Sequence, residues 1–326
     1  MKVLRNLLGR LGELTLNALV GYTGFVGSNL YEYGLFDKVY NSKNIEEAYG
    51  LKPDLLVYSG MRAEKYLANN FPEKDLELVN QAKKNIEMIG PKKLVLISTI
   101  DVLKDTRDKN EEKIIETDGL QPYGYNRYLL ECWVRDNYSD SLIVRLPGLF
   151  GNNIKKNFIY DYIHRVPFML KKDKFEELSF RDDYIIDYYE KLDDGFFRLK
   201  SIDKNTEQEL RERFNSLEFT ALNFTDSRNV YQFYPLNRLW KDIQIAISND
   251  IRLLHLATEP VSVAEVYEYL SGEKFCNELD NEPVYYNYTT VYAEYYGSIG
   301  KYLIYKDEIL EKIYEFVRSK GINDNI

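Results

Sequence analysis

The chain has 326 residues, a length that suits about two domains. With 44% hydrophobic and 29% charged residues it can bury a sizeable core, and a formal net charge of −9 sets its surface against phosphate backbones and nucleic acid. Two cysteines, Cys132 and Cys276, cannot build a disulfide framework and fit a reducing compartment, while two isolated histidines, His164 and His255, offer neither a metal-ligand cluster nor a ready Ser-His-Asp triad.

Residues 1–14 read as a short amphipathic extension, because Arg5 and Arg10 break the apolar stretch that a signal peptide would need. No apolar run reaches the ~20 residues that span a bilayer, so a cytoplasmic globular protein is expected. A strand over 14–20 leads into Gly21-Tyr22-Thr23-Gly24-Phe25-Val26-Gly27 and a short helix. A second apolar snippet follows at 38–40, and 54–58 reads as a buried strand ending at Ser59-Gly60. Residues 73–90 place Leu76, Val79, Ala82 and Ile86 at helical spacing, and Pro91 should stop that helix. The clearest buried strand is 93–98; a helix at 124–138 and a strand at 141–146 complete the series. Continuous apolar strands alternating with helices predict a parallel sheet covered on both faces.

Past Gly151 the character changes. Residues 171–217 are dense in charge and aromatic rings, and strand-like signals return at 221–224 and 253–256. The expected organisation is a dinucleotide-type domain over 15–151 and 221–259, with a smaller lobe from 152–220 and 260–326.

Gly21, Gly24 and Gly27 form G-x-x-G-x-x-G between a strand and a helix. Such glycines permit a tight turn, close backbone approach to a pyrophosphate and tight helix-on-strand packing. The helix N-terminus then offers unpaired N–H groups to the phosphates. The place where NAD-binding versions carry a ribose-binding carboxylate is here Asn41-Ser42-Lys43-Asn44. Lys43 would suit a 2′-phosphate and tilts the cofactor from NAD towards NADP; a merely solvated lysine is the plain alternative.

The glycine loop, Ile97-Ser98-Thr99, Pro122-Tyr123-Gly124-Tyr125-Asn126-Arg127 with Glu131, and Val144-Arg145-Leu146-Pro147-Gly148-Leu149-Phe150-Gly151 together resemble the extended short-chain dehydrogenase/reductase family. Within it they resemble the NAD-dependent epimerase/dehydratase group, which works on nucleotide-linked sugars. Its compressed second and third strands and Asn157-Phe158 look most like the dTDP-4-dehydrorhamnose reductase branch. The resemblance implies a Rossmann-like doubly wound α/β fold with a smaller C-terminal substrate lobe. It also implies an NADP or NAD cofactor, a nucleotide-sugar substrate and a homodimer built on the helix carrying Leu129, Leu130 and Trp133.

By that match Tyr123 is the acid/base, Thr99 hydrogen-bonds the sugar oxygen, and Arg127 holds the place of the family's lysine. Cofactor contacts fall on Gly21, Thr23, Gly24, Phe25, Val26, Gly27, Lys43, Ser59, Gly60, Tyr123, Arg127 and Pro147; substrate contacts fall on Asp101, Asn157, Phe158 and Arg228. A phenol can serve as acid/base only if its pKa falls from about 10 towards neutrality, which asks for fixed positive charge in a water-poor site. Arg127 keeps a charge but effectively never deprotonates, so a relay through a lysine is lost there. The Tyr-to-basic spacing alone means little, since it also occurs at Tyr58/Arg62, Tyr234/Arg238, Tyr302/Lys306 and Tyr314/Arg318. Tyr123 stands out by following Thr99 and opening a helix between two core strands. Thr99 is followed by Ile100-Asp101 rather than Asp-Glu, which disfavours dehydration and leaves reduction or epimerisation. A catalytically impaired dinucleotide-binding or sensor protein of the same fold is the other reading open at this point.

Overall fold

The computed structural model describes residues 15–193 and 195–322. The extension expected at 1–14 lies outside them. The first of two units holds the chain up to Asn153 with Gln232–Pro260 and Tyr286–Ile309. It comprises β1 (Asn17–Val20), α1 (Phe25–Tyr33), β2 (Lys38–Tyr40), β3 (Leu55–Tyr58), α2 (Lys65–Asn70), α3 (Pro72–Ile89), β4 (Lys93–Thr99), α4 (Pro122–Asn137), β5 (Leu142–Leu146), β6 (Gly148–Phe150), β7 (Phe233–Pro235), α5 (Leu239–Ser248) and β8 (Leu253–His255).

Six of these strands pair in parallel in the order β2-β1-β3-β4-β5-β8. The strand order reverses beside β1, which opens a crevice at the carboxyl ends of β1 and β3. Leu94, Val95 and Leu96 of β4 are all buried, which is why that strand reads as an unbroken apolar run rather than an alternation. In α3, Val79, Ala82, Ile86 and Ile89 face the core, and Pro72 opens the helix with its fixed φ. The helix ends at Gly90, whose left-handed backbone (φ +65°) lets its N–H bond the Ile86 carbonyl at 3.0 Å, one residue before Pro91.

The second unit holds Ile154–Tyr231, Val261–Tyr285 and the chain from Leu310 on. Its charged, aromatic stretch folds as helices Lys172–Arg181 and Lys204–Ser216 with three short antiparallel strands. Leu178, Ile185, Leu210 and Phe214 form their core. The strand expected at 221–224 is a 3-10 turn, Ala221–Phe224. Thr220 Oγ1 accepts from the Leu222 N–H at 3.3 Å and Asn223 Oδ1 from the Thr220 N–H at 2.7 Å, so local capping overrides the apolar pattern.

Residues 221–231 thus go with the second unit and 286–309 with the first, which differs from the expected division. The return of 286–309 has a cause in Gln232. Its amide donates to the Thr258 and Tyr288 carbonyls at 2.5 and 2.8 Å and accepts from the Tyr288 N–H at 2.9 Å.

A buried polar network lies among α4, β4, β5 and β8. Arg145 donates to both carboxylate oxygens of Glu131 at 3.1 and 2.6 Å, Ser98 donates to Glu131 at 2.6 Å, and Arg145 meets His255 Nε2 at 3.1 Å. Burial, then the Arg145 charge, push the His255 pKa down to about 3. Neutral His255 therefore accepts from Arg145 and donates through Nδ1 to the Thr289 carbonyl.

The unfolded chain binds a proton at this histidine below pH 6.5 and the folded chain does not until about pH 3. Stability from His255 is thus complete above pH 6.5 and declines as pH falls, by on the order of 5 kcal/mol at the limit. Glu111, raised chiefly by burial, works in the opposite direction. Urea unfolding of wild type and His255→Gln from pH 7 to pH 4 isolates the histidine: the variant's profile should be flatter.

Candidate active site

The glycine loop sits at the crevice. Gly21 has φ +92°, a conformation that suits glycine, and a Cβ there would lie 2.5 Å from the Ser59 carbonyl oxygen. A Cβ on Gly27 would lie 2.0 Å from the Gly21 carbonyl oxygen, so α1 packs against the loop backbone itself. The Gly24 N–H bonds the Gly21 carbonyl at 2.9 Å and closes the turn. Gly24 is the N-cap of α1 and supplies no side-chain hydrogen bond. The leading N–H groups of α1 are therefore left for a ligand or water.

Thr23 and Gly24 are exposed while Phe25 and Val26 are half-buried, which keeps the approach to that terminus open. Ser59 donates to the Val20 carbonyl at 2.8 Å and ties β3 to β1 beneath the loop; Gly60 beside it is exposed. These features fit a dinucleotide pyrophosphate. Gly27→Ala should weaken any dinucleotide binding at this loop at least tenfold, because a methyl group meets backbone rather than a side chain that can swing away; calorimetric titration checks it.

Beyond the loop, Asn41–Asn44 follows β2 as a turn in which the Lys43 N–H bonds Asn41 Oδ1 at 2.9 Å, and the Lys43 side chain is exposed. Pro147 lies half-buried between β5 and β6.

Thr99 and Tyr123 come together at the carboxyl end of β4. A Cβ on Gly124 would lie 2.0 Å from the Asp101 carbonyl oxygen, so glycine there lets the first turn of α4 settle onto the turn after β4. The Tyr123 N–H is held by Asn69 Oδ1 of α2 at 2.9 Å. The phenol is 7% exposed and lies beside the Thr99 side chain. Arg127 lies over its ring at 4.3 Å from the centroid.

The electrostatics run against an acidic phenol in the free protein. Burial pushes the Tyr123 pKa up; Arg127 opposes it, Asp101 adds to it, and Lys65 and the neighbouring Thr99 hydroxyl pull down less. Arg127 is itself committed. It pairs with the buried Asp75 of α3, and its Nη2 donates to the Arg62 carbonyl at 2.6 Å. Asn126 adds a bond to Asp75 at 3.0 Å. The Arg127 charge beside Tyr123 is thus compensated by Asp75, a carboxylate that nothing in the sequence marks out.

Asp101 accepts from Lys65 Nζ at 2.8 Å and from the Tyr286 hydroxyl at 3.1 Å, and its own N–H bonds Thr99 Oγ1 at 3.2 Å. The other three expected substrate residues lie in the second unit and carry structural roles there. Asn157 caps helix Phe158–His164, its Oδ1 accepting from Ile159 and Tyr160 N–H at 3.0 and 3.2 Å. Phe158 is buried, with Tyr162 and Phe275 rings beside it. Arg228 forms a forked pair with Asp226 at 3.0 and 2.7 Å and reaches Glu278 at 3.1 Å, and its guanidinium holds the Asp226 carboxyl well below the usual range.

Among the described residues no group of His, Cys, Asp and Glu could hold a metal ion, and no helix is long and apolar enough to cross a membrane.

No protein-family model and no curated protein matches the sequence. Solved structures do match. RMD from Pseudomonas aeruginosa, complexed with NADPH, is 14% identical with a TM-score of 0.58, over 94% of this chain and 100% of that one. The dTDP-4-dehydrorhamnose reductase of Yersinia enterocolitica is 14% identical with a TM-score of 0.60, over 94% and 99%. A UDP-glucose 4-epimerase from Thermotoga maritima, with UDP-glucose, is 14% identical with a TM-score of 0.56, over 93% and 98%. At these identities the likeness is one of fold: the chain has the Rossmann-like α/β architecture of sugar-nucleotide reductases and epimerases.

Proposed function

We propose that this protein is an NADP- or NAD-dependent oxidoreductase of nucleotide-linked sugars, acting as a carbonyl reductase or epimerase, with NADP favoured by Lys43. One observation carries the reading. A buried phenol, Tyr123, meets the Thr99 hydroxyl at the carboxyl end of the same parallel sheet that carries the Gly21–Gly27 cradle.

In this reading the backbone from Gly21 to Gly27, including Thr23, Phe25 and Val26, holds the pyrophosphate, with Ser59, Gly60 and Pro147 along the dinucleotide. The nicotinamide supplies hydride exchange and, when oxidised, positive charge. Thr99 orients the sugar oxygen by a hydrogen bond and Tyr123 gives or takes its proton. Arg127 fixes the ring of Tyr123 and lends charge to it. The assembly proposed is a homodimer through α4, where Leu129 and Trp133 are half-buried while Leu130, expected on the same face, is buried in the core instead.

The test is a panel of 4-keto and 4-hydroxy nucleotide sugars with NADPH, NADH and their oxidised forms, read by dihydronicotinamide absorbance. Turnover of at least one member is expected. Dinucleotide binding with no turnover across the panel would instead support a catalytically impaired binder or sensor, the reading that the Arg127–Asp75 pair favours. Arg127→Lys separates the two. A shorter cation leaves Asp75 less well satisfied, so an active enzyme should lose about tenfold in kcat rather than gain. A gain would mark an impaired site.

A further inference from the structure

The spacing that puts Arg127 in the lysine place removes the one group on α4 that could pass a proton on, since a guanidinium stays charged. Yet a buried phenol that cycles between two protonation states must exchange its proton with water. The chain supplies another lysine from a different element. Lys65 opens α2, and Asn69, one helical turn later on the same face, holds the Tyr123 N–H at 2.9 Å. Arg127 grips the Arg62 carbonyl at 2.6 Å, just before that helix. Two bonds from α4 thus dock the segment carrying Lys65 beside Tyr123.

From the phenol a chain of polar groups runs outward. The Tyr123 hydroxyl lies beside the Thr99 side chain. Thr99 Oγ1 lies 3.5 Å from Asp101 Oδ2, the long step of the series. Asp101 Oδ1 lies 2.8 Å from Lys65 Nζ. Side-chain exposure rises from 22% at Asp101 to 47% at Lys65, so the chain ends in water. Tyr286 donates to the same Asp101 oxygen and braces the carboxylate.

We infer that Thr99, Asp101 and Lys65 form the proton path between the Tyr123 hydroxyl and solvent, with Lys65 as its exchangeable end. The inference rests on Tyr123 being the acid/base. After Tyr123 has given its proton to the sugar oxygen, the phenolate takes the Thr99 hydroxyl proton. The Asp101 carboxylate takes a proton from the Lys65 ammonium and passes it to Thr99, and the Lys65 amine takes one from water. Each group returns to its starting state, and one proton has moved inward. Oxidation runs the same steps in reverse.

The experiment compares wild type, Lys65→Ala, Lys65→Arg and Asp101→Asn, with Tyr123→Phe as control, on whichever 4-keto nucleotide sugar is turned over with NADPH. Lys65→Ala and Lys65→Arg should each lower kcat about tenfold, with KM and NADPH affinity within about twofold of wild type. Imidazole added to Lys65→Ala should restore most of the loss, because a diffusible base can reach Asp101; a purely structural loss would not respond. In the free protein labelled with 13Cζ-tyrosine, the Tyr123 signal, assigned with Tyr123→Phe, should titrate at higher pH in Lys65→Ala and move little in Lys65→Arg. Full activity in Lys65→Arg, no rescue by imidazole, or an unmoved Tyr123 titration in Lys65→Ala would overturn the path. Undiminished turnover in Tyr123→Phe would instead overturn the acid/base assignment beneath it.

Discussion

Tyr123→Phe is expected to lower kcat by between 10²- and 10⁴-fold, the range that a positioned general acid or base supplies, while leaving NADPH affinity within about twofold. The substitution removes one oxygen and nothing else that the structure uses. The ring keeps its place under the Arg127 guanidinium at 4.3 Å, the backbone N–H keeps Asn69, and Gly124 keeps its close approach to the Asp101 carbonyl. Thr99 loses the phenol but retains the Asp101 N–H. A fall in kcat with an intact dinucleotide site therefore reads as lost proton transfer. An equal fall in cofactor affinity would instead place the hydroxyl on the cofactor. Because burial holds the phenol above its ordinary pKa in the free protein, kcat/KM for oxidation should climb through the alkaline range. Reduction, which uses the protonated phenol, should hold level over the same pH. Parallel pH profiles in the two directions check the sign.

The sheet was legible because each of its main strands buries both faces. The runs at 54–58, 93–98 and 141–146 carry no competing period; β3 and β5 fall within theirs, and β4 covers 93–98 and runs on to Thr99. The glycine loop was legible for a related reason: at Gly21 and Gly27 the neighbours within 2.0–2.5 Å are backbone, so the residue type is fixed by contact. What the sequence hid were partners distant along the chain. Asp75 looks like an ordinary first-turn carboxylate of a charged helix, yet it is buried against Arg127, 52 positions away. Lys65 sits in a short helix with no apolar period, and its meeting with Asp101 depends on the Asn69 anchor. Asn157 and Phe158 show the converse, since a motif match cannot tell a side chain turned to a ligand from one that caps a helix or fills a core. The 221–224 segment failed as a strand because Thr220 and Asn223 bond each other's backbone, a pattern that four apolar-rich residues do not announce.

The largest loss of stability is expected from Glu131→Ala. Arg145 is 1% exposed, and its two bonds to Glu131 are the carboxylate compensation for its charge. His255 offers only a neutral nitrogen, and its pKa of about 3 shows that it cannot share the burden by changing state. Removing the carboxylate strands a guanidinium in the core, a change that typically costs about 3–5 kcal/mol. Glu131→Gln keeps the shape and one acceptor, so it should fall between wild type and Glu131→Ala. The decisive comparison is the pair Glu131→Leu with Arg145→Met. If the cost lies in the unpaired charge, the double variant should recover most of the stability lost by Glu131→Leu alone, since apolar replacements of a buried ion pair are often neutral or better. If the network instead fixes how α4 sits on β4 and β5, the double variant would regain stability by urea midpoint. It would still lose the Tyr123–Thr99 meeting and with it turnover, because Ser98, one residue before Thr99, would no longer have Glu131 to bond at 2.6 Å. Urea melts and kcat measured on the same four proteins separate the two causes.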